Sequence, residues 1–494
     1  MPERAEMWAW RDRRVKEIAG AATAMVALGF SCACYGQDVE RRVESRLRRQ
    51  DELGNIQRDP TLSFSERTTR ELGGFQSFTY LSLKDNEGNT RGLVQNDTTL
   101  FGRASFDGVH SLFGRLRFRH QDFTTGDSFD MRGDRWREPY LDRYWYELSA
   151  RDLLGNLREE AGDDSLPTTL NLNVRAGRQF VDWGAGLSLS EVLLSVRPTV
   201  VVAGSLSIEG LAGVTPPDES VIDFDTSRRQ YNQRTKRGYF GLMARGQTNW
   251  GEIYTGILWS VDYNTDNEPR LPIGTTDFDY NAVYLNLGVN GSVGTNFLYE
   301  TELVYEGGSS MSDPLRTSQT RESIQAFAAR GEATYLFRDA GLSRAQMEVL
   351  VASGDRDRLV PTDTVGGNLS GTNDNAFNSL GFANTGLAFG SSLNNLVSLR
   401  LGASMFPFRD QRDLSQLQIG ADVFVFGKFH AAAPIEEPTY ARSFLGVETD
   451  VYMNYRVTSD LGISIRYGAF MPGSAISGQK DTRHFLLLSV TLSF

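Results

Sequence analysis

The chain has 494 residues, a formal net charge of -11 and a hydrophobic content of 40 %. This acidic balance does not suit a nucleic-acid-binding protein, which carries clustered positive charge. Beyond residue 36 no apolar run reaches the roughly 18 residues that a membrane-spanning helix requires, so the sequence excludes a helical membrane protein as well.

The N-terminus predicts export. A basic segment at residues 11–16 precedes an apolar, alanine-rich run at residues 18–33, and small residues follow. This order is typical of a secretory signal peptide, which we expect to span residues 1–36. Cys32 and Cys34 lie inside it, so the mature chain has no cysteine for disulfide or metal chemistry. The alternative is a lipoprotein-type cleavage before Cys34.

Residues 37–73 predict a charged periplasmic arm ahead of the main domain. Val39, Val43 and Leu47 recur at four-residue spacing among charged residues, which predicts a short helix. The arm is either a plug or oligomerisation helix, or a solvated segment without a partner.

From residue 74 to residue 494, runs of about ten residues alternate apolar and polar side chains, as strands with one apolar face do. In residues 447–455, for example, the odd positions are predicted to face outward, and Glu448, Asp450 and Asn454 inward. We predict strands near residues 74–83, 99–108, 112–122, 142–151, 171–180, 197–213, 237–248, 251–263, 280–290, 295–306, 324–337, 343–353, 395–406, 415–428, 445–457, 461–470 and 484–494. The run at 197–213 can hold two strands. Because single-chain bacterial barrels have an even strand count, the prediction is about 18.

The connections between these strands alternate in length. Short ones are predicted at residues 107–110, 248–251, 290–294 and 458–460. Long ones are predicted near residues 84–98, 123–141, 152–170, 214–236, 264–279, 307–323, 354–394, 429–444 and 471–483. Short periplasmic turns and long extracellular loops are typical of outer-membrane barrels. The predicted fold class is therefore all-β, a transmembrane antiparallel β-barrel in the outer membrane of a Gram-negative-type bacterium.

The last strand supports this fold. From residue 486 the even positions are Leu, Val or Phe, and from residue 489 the odd positions are Ser or Thr. One face suits lipid and the other a wet lumen. The terminal Phe494 resembles the end of an outer-membrane barrel, and we expect the barrel-assembly machinery to bind this strand. An edge strand of a secreted soluble sandwich is the alternative.

One long connection has an unusual composition. Residues 354–394 are rich in Gly, Asn and Ser and contain Phe377, Phe382 and Phe389. The segment either folds into the lumen as a constriction or forms a mobile surface loop.

Arginines are predicted to line the lumen. Arg115, Arg117 and Arg119, here called the arginine ladder, alternate with Leu116 and Phe118 and so share the opposite face. Because Arg is costly on a lipid face, the ladder is predicted to point inward. Arginine binds carboxylates bidentately, so inward arginines would attract anions. The same alternation points further arginines inward, namely Arg103, Arg143, Arg175, Arg330, Arg400, Arg456 and Arg466.

Acidic residues point inward by the same rule, namely Glu147, Glu252, Asp262, Glu300, Glu302, Glu332, Glu348, Asp422, Glu448 and Asp450. The alternative to an anion-attracting pore is therefore a set of ion pairs that stabilise the barrel without selectivity. The sequence leaves both interpretations open.

The sequence contains little that indicates a catalytic or metal-binding site. The four histidines form no His-x-x-x-His pair, and the chain has no Gly-x-Ser-x-Gly motif. His120 is a weak candidate for a Ser–His pair, and a strand-end role explains it better. The Asp and Asn clusters at residues 85–90, 262–268 and 372–375 lack the spacing of a cation site, so we expect no metal, cofactor or enzymatic activity.

Two stretches resemble the alginate-export family of outer-membrane porins. Residues 174–187 are similar to that family's Gly-Arg-Gln strand and the loop after it. Residues 445–455 and 464–473 are similar to its Glu-x-Asp strand and its Arg-x-Gly-x-Phe-x-Pro-Gly strand and turn. With the spacing to the terminal Phe494, the resemblance covers residues 172–187 and 445–494.

The resemblance implies a monomeric 18-stranded barrel with an electropositive lumen that passes an anionic polyuronate. Arg178 and Arg466 correspond to the family motifs, with Glu448 and Asp450 as structural partners. Together with the arginine ladder, Arg103 and Arg400, they form the predicted pore-lining set. The predicted function is passive diffusion of an alginate-like polysaccharide or related anion through an Arg-lined pore, in contact with outer-membrane lipid. A general porin for small nutrients is the alternative.

Overall fold

The computed structural model describes residues 68–86, 88–124, 135–150, 153–154, 170–202, 205–216, 237–263, 268–271, 274–276, 279–313, 319–358 and 367–494. The predicted signal peptide, both cysteines and most of the predicted arm lie outside the described residues. Those assignments stay predictions.

The described chain is almost entirely strand. Its strands are β1 (Thr69–Lys84), β2 (Thr90–Phe106), β3 (His110–Phe123), β4 (Arg135–Ser149), β5 (Leu170–Trp183), β6 (Leu189–Val202), β7 (Leu206–Val214), β8 (Arg237–Thr248), β9 (Gly251–Asp262), β10 (Glu268–Leu271), β11 (Gly274–Thr276), β12 (Asn281–Val293), β13 (Phe297–Met311), β14 (Arg321–Leu336), β15 (Arg344–Ala352), β16 (Leu396–Met405), β17 (Leu417–Lys428), β18 (Phe444–Arg456), β19 (Leu461–Pro472) and β20 (Arg483–Ser493). Among the residues described, no helix has the length and apolar character needed to cross a membrane.

Eighteen strands close into one antiparallel barrel. Strand β1 pairs with β2 on one side and with β20 on the other, where the register runs from Phe75 opposite Ser493 to Leu83 opposite Phe485. Strand β9 pairs with β12 in the barrel wall. Strands β10 and β11, which lie between them in sequence, form a separate two-stranded hairpin outside the barrel sheet. The predicted all-β barrel of 18 strands is confirmed, and the run at residues 197–213 does contain parts of two strands, β6 and β7.

Side-chain alternation explains why these segments form a barrel wall. In β17, Val423 and Val425 are 41 % and 42 % exposed, whereas Asp422 and Phe424 between them are buried. Successive side chains of a strand point to opposite faces, so the exposed apolar row faces lipid and the buried row faces the interior.

The ends of the barrel differ from the prediction in several places. The long loop predicted near residues 84–98 is wrong, because β1 ends at Lys84 and β2 already begins at Thr90. Because antiparallel strands reverse at each connection, strand parity decides at which end a connection lies. The end that carries the short turns, such as residues 107–109, is here called the turn end, and the opposite end the loop end. The predicted long loop near residues 152–170 joins β4 to β5 at the turn end, and the short connection at residues 184–188 lies at the loop end. Strand β1 begins at Thr69, inside the segment predicted as an arm.

We expect charge tolerance to differ between the two faces of one strand. Val451→Arg in β18 places a guanidinium on the exposed apolar face, at a cost of about 2–4 kcal/mol near the bilayer midplane. Asn454→Arg, on the inward face of the same strand, is the matched control because Asn454 lines a cavity. Urea unfolding in lipid vesicles measures the difference, and equal losses for both variants would contradict the assigned faces.

Candidate functional site

The arginine ladder lies on the inner face of β3, as predicted, and is paired with carboxylates. Arg117 Nε lies 2.8 Å from both Asp97 oxygens, and Arg119 Nε lies 3.2 Å from Asp97 Oδ2. Arg115 donates from Nε and Nη2 to the two oxygens of Asp142, at 2.8 and 2.6 Å. The three arginines are only 1–2 % exposed. Two carboxylates therefore compensate most of the ladder's charge, and little of it reaches solvent.

Asp142 is a partner that the alternation rule missed. The predicted inward residue in β4 is Arg143, and strict alternation would put Asp142 on the lipid face. The register shifts here, because Arg115 lies opposite Arg143 and Leu116 opposite Leu141, which leaves Asp142 as the extra residue of a β-bulge. Both Asp142 and Arg143 are buried. A bulge carries no sequence signal that the periodicity could detect.

A second group of ion pairs occupies the wall from β14 to β17. Arg400 donates to Asp422 at 2.9 Å and to Glu348 at 3.1 Å. Arg330 donates to Glu332 at 2.6 Å and lies 3.6 Å from Glu348. Two guanidinium groups thus face three carboxylates, so this part of the wall is not positive.

The other predicted site residues are spread around the interior. The Arg103 guanidinium lies 5.8 Å from the centre of the Trp145 ring, and that of Arg466 lies 5.9 Å from the Tyr452 ring. Arg466 and Asp450 are buried, at 6 % and 1 % exposure. The structure does not bring the predicted arginines into one cluster.

Arg178 takes a different position. In the register of β4, β5 and β6 it lies between Tyr144 and Leu194, which are 41 % and 39 % exposed on the outer face. Side chains directly opposite one another share a face. Arg175 points inward, where its guanidinium pairs with Glu147 at 2.7 Å. The register therefore sets Arg178 apart from the inward row of β5, but its own side chain is only 4 % exposed, so it is shielded where Tyr144 and Leu194 are not.

Glu448 binds the long connection between β15 and β16. The described part of that connection at residues 367–395, here called the inner loop, folds into the barrel. Glu448 accepts hydrogen bonds from the backbone N–H groups of Ala388 at 2.5 Å and Phe389 at 2.8 Å. Gly386 permits this approach, because it has a φ of +88° and a Cβ there would overlap the Glu448 carboxylate. Of the two alternatives for residues 354–394, the constriction is the one observed.

Two further glutamates hold backbone inside the barrel in the same way. Glu306 accepts a hydrogen bond from Asn378 N at 2.8 Å and another from the Tyr280 hydroxyl. Burial, and next the Glu306 carboxylate, raise the pKa of Tyr280 well above its ordinary value, so this phenol keeps its proton. Glu302 accepts a hydrogen bond from Ala185 N at 3.0 Å, in the connection between β5 and β6.

Apolar packing completes the attachment of the inner loop. The Phe389 ring lies 4.7 Å from that of Phe426 and 4.6 Å from that of Phe470, both on inward positions of the wall. Phe377 packs edge-on against Tyr284 at 6.2 Å. These side chains belong to two buried apolar clusters at the loop end. The inner loop and these clusters therefore occupy part of the barrel interior at the loop end.

His120 and the described residues of the acidic clusters have identifiable neighbours in the structure. The His120 ring lies 5.9 Å from that of Trp136, which is 63 % exposed on the outer face. Asp85 accepts from Arg91 at 2.7 Å, and Asp374 accepts from Arg358 at 2.6 Å. Within the described parts of the chain, no three His, Cys, Asp or Glu side chains are placed to hold a metal ion. Part of the cluster at residues 262–268 lies outside those parts.

A family comparison identifies this barrel. The family model for alginate export matches residues 226–486, more than half of the chain. The chain belongs to the alginate export family. No curated protein matches the sequence. This alginate-export family member is an outer-membrane protein, and its family and fold indicate a channel rather than an enzyme.

Solved porins share the fold at low sequence identity. Acinetobacter baumannii OccAB2 is 8 % identical, with a TM-score of 0.51 over 86 % of this chain and 98 % of that chain. Pseudomonas aeruginosa OprD is 12 % identical, with a TM-score of 0.50 over 88 % and 99 %. The Pseudomonas aeruginosa outer-membrane protein OpdK is 11 % identical, with a TM-score of 0.50 over 86 % and 99 %. At these identities the similarity shows the fold alone.

Loss of the Glu448 carboxylate should loosen the inner loop. Glu448→Gln removes the charge and one acceptor oxygen, so we expect larger open-channel conductance in planar bilayers with an intact barrel. Glu209→Gln is the control, since Glu209 pairs with Arg197 and not with the inner loop. Unchanged conductance in Glu448→Gln would show that apolar packing alone holds the loop.

Loss of Asp97 should destabilise the barrel. Asp97→Asn leaves Arg117 and Arg119 buried without their shared carboxylate, and breaking a buried ion pair from one side costs about 3–5 kcal/mol. Urea unfolding measures this loss against the smaller effect expected for Glu209→Gln, whose ion pair is partly exposed. Equal stability of Asp97→Asn and the parent protein would refute a structural role for the pair.

Proposed function

We propose that this protein is a passive outer-membrane channel for an anionic polysaccharide of the polyuronate type, or for a related anionic solute. Family membership over residues 226–486 is the observation that supports this most strongly. The closed barrel supplies a path across the membrane, and an arginine with partial exposure on its inner wall, Arg175, supplies a contact for carboxylates. Each contact must be weak enough to release the solute.

The barrel closure is consistent with action as a monomer. Strand β20 pairs with β1, and the backbones of Phe494 and Gly74 exchange hydrogen bonds at 2.8 and 2.9 Å. We further propose that the barrel-assembly machinery binds the same apolar C-terminal strand before it pairs with β1. Outer-membrane lipid then covers its exposed face.

One observation favours a second candidate, a general porin for small nutrients. The inner loop and its apolar clusters occupy part of the loop end of the barrel. A polymer requires this segment to move, whereas a small solute needs less space.

The reversal potential of the purified protein in a planar bilayer, under a salt gradient, tests the proposal. We expect anion preference that oligouronates reduce, because a bound polyanion occupies the same positive groups as the permeating anion. Arg175→Gln, which removes an inward guanidinium of partial exposure, should weaken the preference, and Arg356→Gln, an exposed arginine of the loop end, is the control. Cation preference, or none, would support the general porin instead.

A further inference from the structure

The turn end of the barrel contains a cavity of about 1330 Å³. Strand ends and turns line it, and five of the lining side chains are arginines, namely Arg338, Arg344, Arg409, Arg456 and Arg466. Short turns of an outer-membrane barrel face the periplasm, so this cavity is the periplasmic mouth of the channel.

Three of these arginines lie on neighbouring turns of the rim. Arg338 is in the turn between β14 and β15, Arg409 is in the turn between β16 and β17, and Arg456 ends β18. We call these three residues the turn-end arc. Their strands are adjacent in the wall, so the guanidinium groups form a row along one side of the mouth.

The arc differs from the arginine ladder in its hydrogen-bond partners. Arg338 Nη2 donates to the Thr295 carbonyl oxygen at 3.1 Å, and Arg456 Nη2 donates to the Ser459 carbonyl oxygen at 3.0 Å. Carbonyl oxygens are neutral, so these contacts orient the guanidinium groups without cancelling their charge. In the ladder, by contrast, Asp97 and Asp142 supply compensating negative charge.

Ion pairs already occupy two of the acidic residues of the cavity. Glu252 accepts from Arg245 at 3.2 Å and from Gln247 at 2.9 Å. Glu332 accepts from Arg330 at 2.6 Å. The other acidic lining residues are Glu300 and Asp460. The five arginines of the lining thus outnumber its four carboxylates, two of which are already paired with arginines outside the lining, so the lining itself carries a positive formal charge.

We propose that the turn-end arc is the capture site for an anionic polysaccharide, and that anion selection takes place there, not at the arginine ladder. The ligand is a chain segment with carboxylates on successive sugars, each within reach of a guanidinium fork. This inference rests on the proposed function and names the residues that perform its first step. Among the inward arginines of the described strands, the arc lies at the strand ends, where a polymer from the periplasm enters.

Side-specific block of single channels tests the inference. Channels are inserted in one orientation, and a tetra-uronate is added to either compartment. We expect block from the turn-end side only. Arg338→Ser/Arg409→Ser/Arg456→Ser should weaken that block about tenfold or more, since each lost charge-assisted contact contributes to affinity. Arg321→Ser/Arg356→Ser/Arg442→Ser removes three arginines at the loop end and is the matched control.

A second measurement determines the affinity for tetra-uronate without relying on ion conduction through the channel. Calorimetric titration of detergent-solubilised protein with tetra-uronate should show binding by the parent and the control variant, and about tenfold weaker binding by the arc variant. Equal block from both sides, or unchanged binding by the arc variant, would overturn the inference. Anion preference without turn-end block would overturn the inference alone. Turn-end block without anion preference would support capture at the arc, overturn anion selection there and count against the proposed function.

Discussion

The interior of this barrel is organised by carboxylates that cannot be left unpaired. A buried carboxylate without a partner is strongly destabilising, so each one must receive a guanidinium group or backbone N–H donors. On one part of the wall Asp97 and Asp142 receive the arginine ladder. Elsewhere Glu302, Glu306 and Glu448 receive the backbone of inward-folded segments. The carboxylates that bind backbone N–H groups hold chain segments inside the barrel. The carboxylates that bind arginines compensate positive charge on the wall.

The result is a channel whose two ends differ in chemistry. At the loop end, Phe389 and its neighbours pack apolar side chains of the inner loop against the inner wall. At mid-height the ion pairs compensate most of the charge of both signs. At the turn end, Arg338 and Arg456 donate to neutral carbonyl oxygens along one side of a cavity. In the proposed path, a solute from the periplasm meets the turn-end arc first and the inner loop last.

The alternation pattern that predicts the strands also indicates the presence of the inner loop. Residues 422–428 contain Val423 and Val425 on the outer face, and Phe424 and Phe426 on the inner face. An inner face that meets only water has no reason to carry Phe. Apolar side chains on both faces of the loop-end halves of strands therefore indicate that protein covers the inner wall, and Phe470 in β19 repeats the pattern. Arg178, in contrast, had only a motif to support it, and it lies in register with exposed residues although its own side chain is buried.

The sequence by itself determined the strand count, the lipid face and the family, because all three depend on period-two alternation and local motifs that each strand carries alone. It also placed the arginine ladder, Glu448 and Asp450 on the inner face. Only the tertiary structure decided what those groups contact. Asp142 reaches Arg115 through a bulge, and Glu448 reaches residues 388–389 across about sixty positions of sequence. Charge compensation depends on distances between strands, and alternation along one strand contains no information about its neighbours.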